Sequence, residues 1–357
     1  MAEKTMSSRE RIKAAINFQE PDQLPCNESL WPDTLDLWRT QGMPKDITPE
    51  DYFGWDICAM NLDCSPRFEQ KILSKDDPFY TYTDRWGYTA TKKLGKAGSV
   101  HFFDHKTADR ETWDSFKHRW QLSEDPNEPA RIDSASYFEH FAPYPTWSQA
   151  AEQFKELYAA GRYMLFAVYG PWEANWRHCG YEQQLMNTAL DPEWVQEMAE
   201  YHMNLAIDVM RRGLDEGMKP DGFFMVEDLA ETKGMLFSPD SWRTIFKPSV
   251  VKLGNFLAEN GIDFWMHCCG NADAVFPDLI DAGVRVMNPL QATAGLDVVE
   301  LREKYGTNLA FYGNISAVSL SGPREVLEKE IKRKVAVART GGYIFHSDHS
   351  VPYEVDF

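Results

Sequence analysis

Three consecutive side chains, His267, Cys268 and Cys269, carry the most distinctive chemistry in the chain. They follow the apolar run of residues 262–266, which predicts a buried strand. Because residues two apart on a strand point to the same side, the imidazole of His267 and the thiolate of Cys269 would face together, with Cys268 facing away. Nitrogen and thiolate sulfur are zinc ligands, so the pattern predicts a metal site. The alternative is a core cysteine beside a histidine that binds a backbone carbonyl.

Further ligand-capable side chains follow two other predicted strands. Glu227 and Asp228 come directly after the apolar run of residues 222–226. We expect a catalytic or ligand role for them, the alternative being a helix cap or a surface pair. His346 and His349 follow the last predicted strand, on a glycine-flanked loop. They would share a rim with the His-x-Cys pair, whereas histidines in a loop are otherwise common surface features.

The predicted strands and helices that would position these residues alternate regularly along the chain. Residues 24–27 start the first predicted strand, and apolar strands then alternate with helices from about residue 148 to the last strand at residues 343–345. Buried apolar strands separated by helices indicate a parallel sheet. Eight such units at this length favour a single (β/α)8 TIM barrel spanning residues 1–357, in which catalytic groups lie at the carboxyl ends of the strands. No glycine-rich nucleotide-binding motif follows any predicted strand.

Two segments stand outside this alternation. Residues 7–17 read as an N-terminal helix that precedes the barrel, with Ser8 as its cap. Residues 79–105 are rich in threonine and aromatic residues and are broken by glycine, which predicts an antiparallel hairpin insertion.

Composition restricts the classes of function. The chain has 55 acidic and 37 basic residues, a formal charge of −18, which disfavours binding to nucleic acid or to an anionic membrane. It has no apolar run long enough to span a membrane and no signal-peptide pattern at its start. Six cysteines in 357 residues do not suggest a disulfide framework, so a cytoplasmic location is expected.

Aromatic residues are abundant, with twelve tryptophans in the chain, and they suggest an aromatic-lined cleft. The predicted substrate-binding residues, at or near strand ends, are Trp31, Trp172, Tyr312, Asn314 and His346. The barrel mouth ringed by the three aromatic residues among them is the expected docking place for a protein partner.

Several motifs together resemble the uroporphyrinogen decarboxylase superfamily. They are Ser8-Arg9-Glu10-Arg11-Ile12, Pro21-Asp22-Gln23-Leu24-Pro25, Gly170-Pro171-Trp172-Glu173, Ser238-Pro239 with Lys247-Pro248, Gly313-Asn314-Ile315, and Gly341-Gly342-Tyr343-Ile344-Phe345 with His349-Ser350-Val351-Pro352. The resemblance covers nearly the whole chain and implies a (β/α)8 barrel, in agreement with the strand–helix pattern.

The superfamily contains metal-free decarboxylases and cobalamin-dependent methyltransferases. The decarboxylases bind acetate-bearing pyrroles with an arginine-rich N-terminal segment, whereas residues 25–31 here lack arginine and contribute Glu28. The methyltransferases carry His-x-Cys and a later third zinc ligand, usually cysteine. His267 and Cys269 match the first part, and His349 stands in the place of the later cysteine. His349 would be a metal ligand, or it would contact substrate as the C-terminal histidine of the decarboxylases does.

The resemblance therefore implies a zinc-dependent methyltransferase that moves a methyl group between a small methylated substrate and a corrinoid protein. The abundance of aromatic residues favours a methoxylated aromatic donor, with a thiol acceptor or a methylamine as alternatives. Zinc would be held by His267, Cys269 and His349, or by Glu227 or Asp228 in place of the last. The chain lacks the Asp-x-His-x-x-Gly pattern of corrinoid carriers, so the corrinoid would arrive on a partner. A homodimer is also allowed.

Two rival functions remain at this point. One is a metal-free carboxy-lyase, which needs basic residues in the pocket and for which Arg177 is the best candidate. The other is a non-catalytic barrel that binds a corrinoid protein.

Overall fold

One mostly parallel sheet forms the centre of the protein. The computed structural model describes residues 5–93, 100–123, 125, 127–134, 141 and 143–357. Its strands, in chain order, are β1 (Ile57–Leu62), β2 (Lys71–Asp76), β3 (Phe79–Thr83), β4 (Thr89–Lys93), β5 (His101–Phe103), β6 (Ile132–Asp133), β7 (Tyr163–Tyr169), β8 (Gly222–Val226), β9 (Ala230–Glu231), β10 (Gly234–Met235), β11 (Asp263–Cys268), β12 (Val284–Pro289), β13 (Ala310–Tyr312) and β14 (Tyr343–Ile344). The central sheet has the order β14-β13-β12-β11-β8-β7-β1-β6, and only β6 pairs antiparallel.

The chain around Cys26 closes this sheet into a barrel. Cys26 forms a parallel bridge with Phe345, just after β14. The carbonyl of Cys26 accepts a hydrogen bond of 2.9 Å from the amide of Asp56, just before β1. With this short segment, eight parallel strands surround one axis, so the predicted (β/α)8 fold is confirmed.

Helices cover the outside of the barrel. In chain order they are α1 (Ser8–Ile16), α2 (Pro32–Gln41), α3 (Pro49–Phe53), α4 (Arg110–Phe116), α5 (Trp147–Ala159), α6 (Pro171–Cys179), α7 (Tyr181–Leu190), α8 (Pro192–Asp215), α9 (Pro239–Ser241), α10 (Lys247–Glu259), α11 (Phe276–Asp281), α12 (Val298–Tyr305), α13 (Ala317–Leu320) and α14 (Arg324–Val335). A π-helical turn, Trp242–Phe246, joins α9 to α10. None of the helices within the described ranges could cross a membrane.

Five strands were not predicted from the sequence: β1, β2, β6, β9 and β10. β1 belongs to the barrel, and its run Ile57-Cys58-Ala59-Met60-Asn61-Leu62 is short and interrupted by a polar residue. β2 is largely exposed and carries two lysines, so its sequence shows little strand character. The predicted hairpin insertion is instead a four-stranded antiparallel sheet, β2-β3-β4-β5, that begins at Lys71. Residues 94–99 of the predicted insertion lie outside the described residues.

The barrel interior is filled with apolar side chains that support the carboxyl ends of the strands. Tyr163, Leu165, Trp265, Val286 and Tyr312 form one buried cluster with residues of α1. Because side chains alternate along a strand, the residue two positions after Trp265 points into the same interior, above this apolar floor. That residue is His267.

Candidate metal centre

His267 and Cys269 lie at the carboxyl end of β11 and face each other. The Nε2 atom of His267 is 3.4 Å from the Sγ atom of Cys269. Cys268 is buried on the opposite side, where its sulfur accepts a hydrogen bond from the amide of Leu229. The predicted same-side geometry of the imidazole and the thiol is therefore present.

Asp228 completes a group of three. Its Oδ1 atom lies 3.6 Å from Nε2 of His267 and accepts a hydrogen bond of 2.7 Å from the amide of Cys269. The three ligand atoms lie within 4.8 Å of one another, and within the described part of the chain this is the one group of this kind. β8 pairs with β11 so that Val226 is level with His267, which brings the residue two positions after Val226 to the same face.

The spacing of these three atoms suits zinc. Tetrahedral coordination with zinc–nitrogen and zinc–oxygen bonds of about 2.1 Å and zinc–sulfur bonds of about 2.3 Å puts ligand atoms about 3.4–3.6 Å apart. The distances from Nε2 of His267 to the sulfur and to the carboxylate oxygen match this range. Three protein ligands with one open position form the arrangement of catalytic zinc sites.

Asn288 fixes which nitrogen of His267 is available. The side-chain Nδ2 of Asn288 donates to the carbonyl of Tyr312 at 2.9 Å, so its Oδ1 must face the histidine. That oxygen accepts a hydrogen bond of 2.6 Å from Nδ1 of His267. The proton therefore resides on Nδ1, and the lone pair of Nε2 points toward Cys269 and Asp228. Such support of the distal nitrogen is usual for metal-binding histidines.

The surroundings of the thiol are acidic. Burial raises the pKa of Cys269, and the carboxylates of Asp228, Glu173 and Asp348 raise it further. A thiolate in this place therefore needs a compensating positive charge. A divalent cation bound between the thiol and Asp228 would supply it, since metal binding deprotonates a coordinating thiol.

Glu227, predicted with Asp228 as catalytic, has a different position. It is fully buried, and its two carboxylate oxygens accept hydrogen bonds from the backbone amides of Trp172 and Glu173 at 2.9 and 3.0 Å. These amides belong to the first turn of α6, so Glu227 caps that helix. The preceding Gly170 leaves room for it, because a Cβ atom there would lie 2.3 Å from the carboxylate. The helix-cap alternative thus describes Glu227.

His349 lies outside the group of three. Its side chain is exposed and its ring centroid is 5.9 Å from that of Trp31. Asp228, and not His349, lies within reach of His267 and Cys269 as a possible third ligand. His349 and the half-buried Trp31 instead lie on the barrel rim, where a parallel bridge joins Leu30 to Val351.

His346 is buried beside two residues of the barrel interior. Its Nε2 atom is 3.1 Å from Oε1 of Glu28, and its ring centroid is 4.5 Å from that of Tyr312. Glu28 also accepts hydrogen bonds from the amide and hydroxyl of Ser347. The hydroxyl of Tyr312 is 2.9 Å from the side-chain amide of Asn27. These contacts tie the first and last strands together below the rim.

Trp172 and Asn314, both predicted to bind substrate, have structural positions. Trp172 is fully buried, with its ring 4.7 Å from that of Phe237. The side chain of Asn314 is also buried and binds the backbone of Leu290, Leu296 and Val298. Neither side chain reaches the surface of a cleft. Of the aromatic residues expected to ring the barrel mouth, Trp172 and Tyr312 are buried.

Arg177, the basic residue that a decarboxylase would need, is already paired. Its guanidinium lies 2.9 Å from the carboxylate of Glu173 and 3.7 Å above the ring of Tyr169. Burial raises the pKa of Glu173, while the charge of Arg177 opposes that shift. A substrate carboxylate would have to displace Glu173 to use this guanidinium.

Asn288 and Glu28 were not predicted from the sequence as site residues. The available signal was a polar side chain at the end of an apolar strand. The partner of each depends on how neighbouring strands are aligned: Asn288 lies opposite His267 in the pairing of β11 with β12.

Comparisons with known proteins agree with this fold. The solved structure of a methyltransferase from Methanosarcina mazei is similar with a TM-score of 0.63 and 14% sequence identity, over 98% of this chain and 96% of that chain. A structure from Listeria monocytogenes described as a vitamin-B12 independent methionine synthase is similar with a TM-score of 0.45 and 11% identity, over 93% of each chain, which is too low to carry an inference. No curated protein matches the sequence.

The sequence itself matches a known family over most of its length. Residues 123–357 match the profile of uroporphyrinogen decarboxylase (URO-D). That range contains the three clustered side chains and Asn288, and it includes the barrel strands from β7 to β14. The chain therefore belongs to the uroporphyrinogen decarboxylase family.

Proposed function

We propose that this protein is a zinc-dependent methyltransferase that moves a methyl group between a small methylated substrate and a corrinoid carried by a partner protein. The observation that carries the proposal is the spacing of His267, Cys269 and Asp228, which suits three zinc ligands with a fourth position open. The similarity of the fold to that of a methyltransferase supports it.

In this proposal each of the following residues has its own role. His267, Cys269 and Asp228 would hold zinc, and Asn288 would keep Nε2 of His267 directed at it. Bound zinc would act as a Lewis acid toward the substrate heteroatom, activating a thiolate or making an ether oxygen a better leaving group. Trp265 and Tyr312 form the apolar floor beneath the site and keep water out from below.

The acidic character of the site argues against the carboxy-lyase alternative. Such an enzyme must bind carboxylates of its substrate, whereas the negative charges of Asp228 and Asp348 act on the thiol and Arg177 is already paired with Glu173. An added carboxylate would be repelled by these groups. A methylated ether, thioether or amine carries no such penalty, and the methoxylated aromatic donor remains the preferred class.

The test is methyl transfer to free cobalt(I) cobalamin, followed by its visible spectrum. Methoxyarenes, methylamines and methyl thioethers are offered as donors to the zinc-loaded protein. We expect transfer from at least one class with the wild type and at least 100-fold slower transfer with Cys269→Ser. Carbon dioxide release from a carboxylated substrate, without methyl transfer from any donor, would assign the protein to the lyases.

A further inference from the structure

A cavity lies between the first turns of α7 and the β9–β10 hairpin. Its volume is about 360 Å³, which falls in the range of small-molecule sites. Tyr181 and Leu185 line it from the helix, and Met235 and Leu236 line it from the hairpin side. Glu231 and Lys233 add charged groups from the same hairpin, and both are exposed. None of these six residues was singled out from the sequence.

Backbone contacts hold the hairpin against the turn that carries Cys269. The amide of Asn271 donates to the carbonyl of Glu231 at 2.9 Å. Gly270 packs so closely against Ala230 that a Cβ atom at residue 270 would lie 2.4 Å from the Ala230 carbonyl oxygen. The hairpin that lines the cavity therefore packs directly against the turn that follows Cys269.

Tyr181 lines the opposite wall of the cavity, which α7 forms. Burial raises the pKa of its phenol, and the negative charges of Glu231, Glu173 and Asp228 raise it further. The Tyr181 ring is backed by the rings of Trp172 and Trp176, each with its centroid 6.0 Å away and nearly perpendicular. These contacts pack the Tyr181 side of the cavity against two further aromatic rings.

The distribution of charge selects the ligand. The walls of Leu185, Met235 and Leu236 favour an apolar body. Lys233 forms no ion pair with any residue that the structure describes, so its ammonium is available to a ligand.

We propose that this cavity binds a small apolar molecule, about the size of one aromatic ring, that carries a negative charge at its outer end, where Lys233 pairs with it. The cavity and the charge preference are independent of the reaction. Only the orientation of the ligand, with its methylated end toward Asp228, rests on the proposed function.

Calorimetric titration of the zinc-loaded protein with three matched probes tests the charge preference. The probes are 4-methoxybenzoate, methoxybenzene and 4-methoxybenzylamine, which carry a carboxylate, a hydrogen and a cationic aminomethyl group opposite the methoxy group. We expect the benzoate to bind tightest and the amine weakest. Lys233→Ala should weaken the benzoate about two- to fivefold, as for an exposed ion pair, and leave methoxybenzene unchanged. Glu231→Gln should strengthen the benzoate.

A second variant tests the location. Leu185→Trp fills the cavity and should weaken all three probes at least tenfold while zinc content stays at the wild-type level. Leu190→Trp is the matched control, because Leu190 lies on the same helix, is 79% exposed and does not line the cavity. If Leu185→Trp fails to fold, Met235→Trp blocks the cavity from the opposite wall.

The outcomes separate the two proposals. Wild-type probe affinity in the folded blocking variant, or no binding of any probe to the wild type, would overturn the cavity assignment. Wild-type methyl transfer in a blocking variant that has lost probe binding would overturn the orientation of the ligand toward Asp228 and leave the methyltransferase proposal standing. Probe binding that the blocking variant abolishes, without methyl transfer from any donor, would retain the cavity and refute the proposed function.

Discussion

His267 and Asn288 are joined by a hydrogen bond of 2.6 Å between Nδ1 and Oδ1, and the two residues lie opposite each other on neighbouring strands. The bond leaves Nε2 of His267 as the only ring nitrogen that can bind a metal. The orientation of the Asn288 amide is set by its second hydrogen bond, which Nδ2 donates to the Tyr312 carbonyl. The orientation of the histidine thus depends on three adjacent barrel strands.

Asn288→Ala should weaken zinc binding by about 10- to 100-fold, because the histidine loses the group that orients it. Competition with a chromogenic chelator measures this affinity. Asn288→Asp keeps an acceptor for Nδ1 and is the control, expected to retain most of the affinity. Equal zinc affinity in the alanine variant and the wild type would mean that the hydrogen bond has no part in metal binding.

Asp228 and His349 should differ in their effect on the metal. Asp228→Ala removes a carboxylate that lies 3.6 Å from Nε2 of His267, so zinc content should drop sharply. His349→Ala changes an exposed side chain beside Trp31, and zinc content should stay at the wild-type level. Elemental analysis of the two purified variants decides between them. Loss of zinc only in the His349 variant would restore the ligand set implied by the resemblance.

The two adjacent cysteines provide another matched pair. Cys269→Ser should abolish stoichiometric zinc binding, because the thiolate is the one sulfur ligand of the cluster. Cys268→Ser should keep zinc, because that sulfur faces the packed core and the amide of Leu229. Metal content and thermal unfolding are measured on both proteins. Retention of zinc in the Cys269 variant would refute the ligand assignment.

The sequence predicted the metal pair and most of the barrel, because both depend on local patterns. Alternation along one strand is enough to place His267 and Cys269 together. The third member of the group could not be chosen from the sequence, since it depends on how β8 is aligned with β11. That alignment puts Asp228 beside the histidine and turns Glu227 toward the start of α6.

The sequence missed the barrel strand β1 and the burial of Trp172 for similar reasons. β1 is a short run that includes Asn61, and only pairing with β7 identifies it as a strand. Trp172 follows a strand as expected, but the helix that begins at Pro171 rotates its side chain into the packing behind the barrel. The end of a predicted strand indicates the region in which a side chain lies. The direction of that side chain depends on the tertiary structure.

His202 should make the stability depend on pH. Burial lowers its pKa to about 4, and its Nε2 donates to the carbonyl of Tyr169 at 2.7 Å. Because the unfolded state takes up this proton near pH 6.5 and the folded state does not, stability is lost as pH falls from about 6.5 toward 4. Between pH 7 and pH 5 this group alone should remove about 2 kcal/mol.

Urea unfolding at the two pH values measures this dependence. His202→Gln keeps a donor for the Tyr169 carbonyl but does not titrate, so its loss between pH 7 and pH 5 should be smaller by that amount. Parallel losses in the variant and the wild type would show that other groups cause the acid sensitivity.

X-ray absorption at the zinc edge of the wild-type protein tests the central claim most directly. The account predicts one zinc per chain with one sulfur at about 2.3 Å and nitrogen or oxygen atoms at about 2.0–2.2 Å. These scatterers correspond to Cys269, His267 and Asp228. Two or more sulfur scatterers would require a second cysteine that the structure turns away, and a protein that binds no zinc would contradict the account altogether.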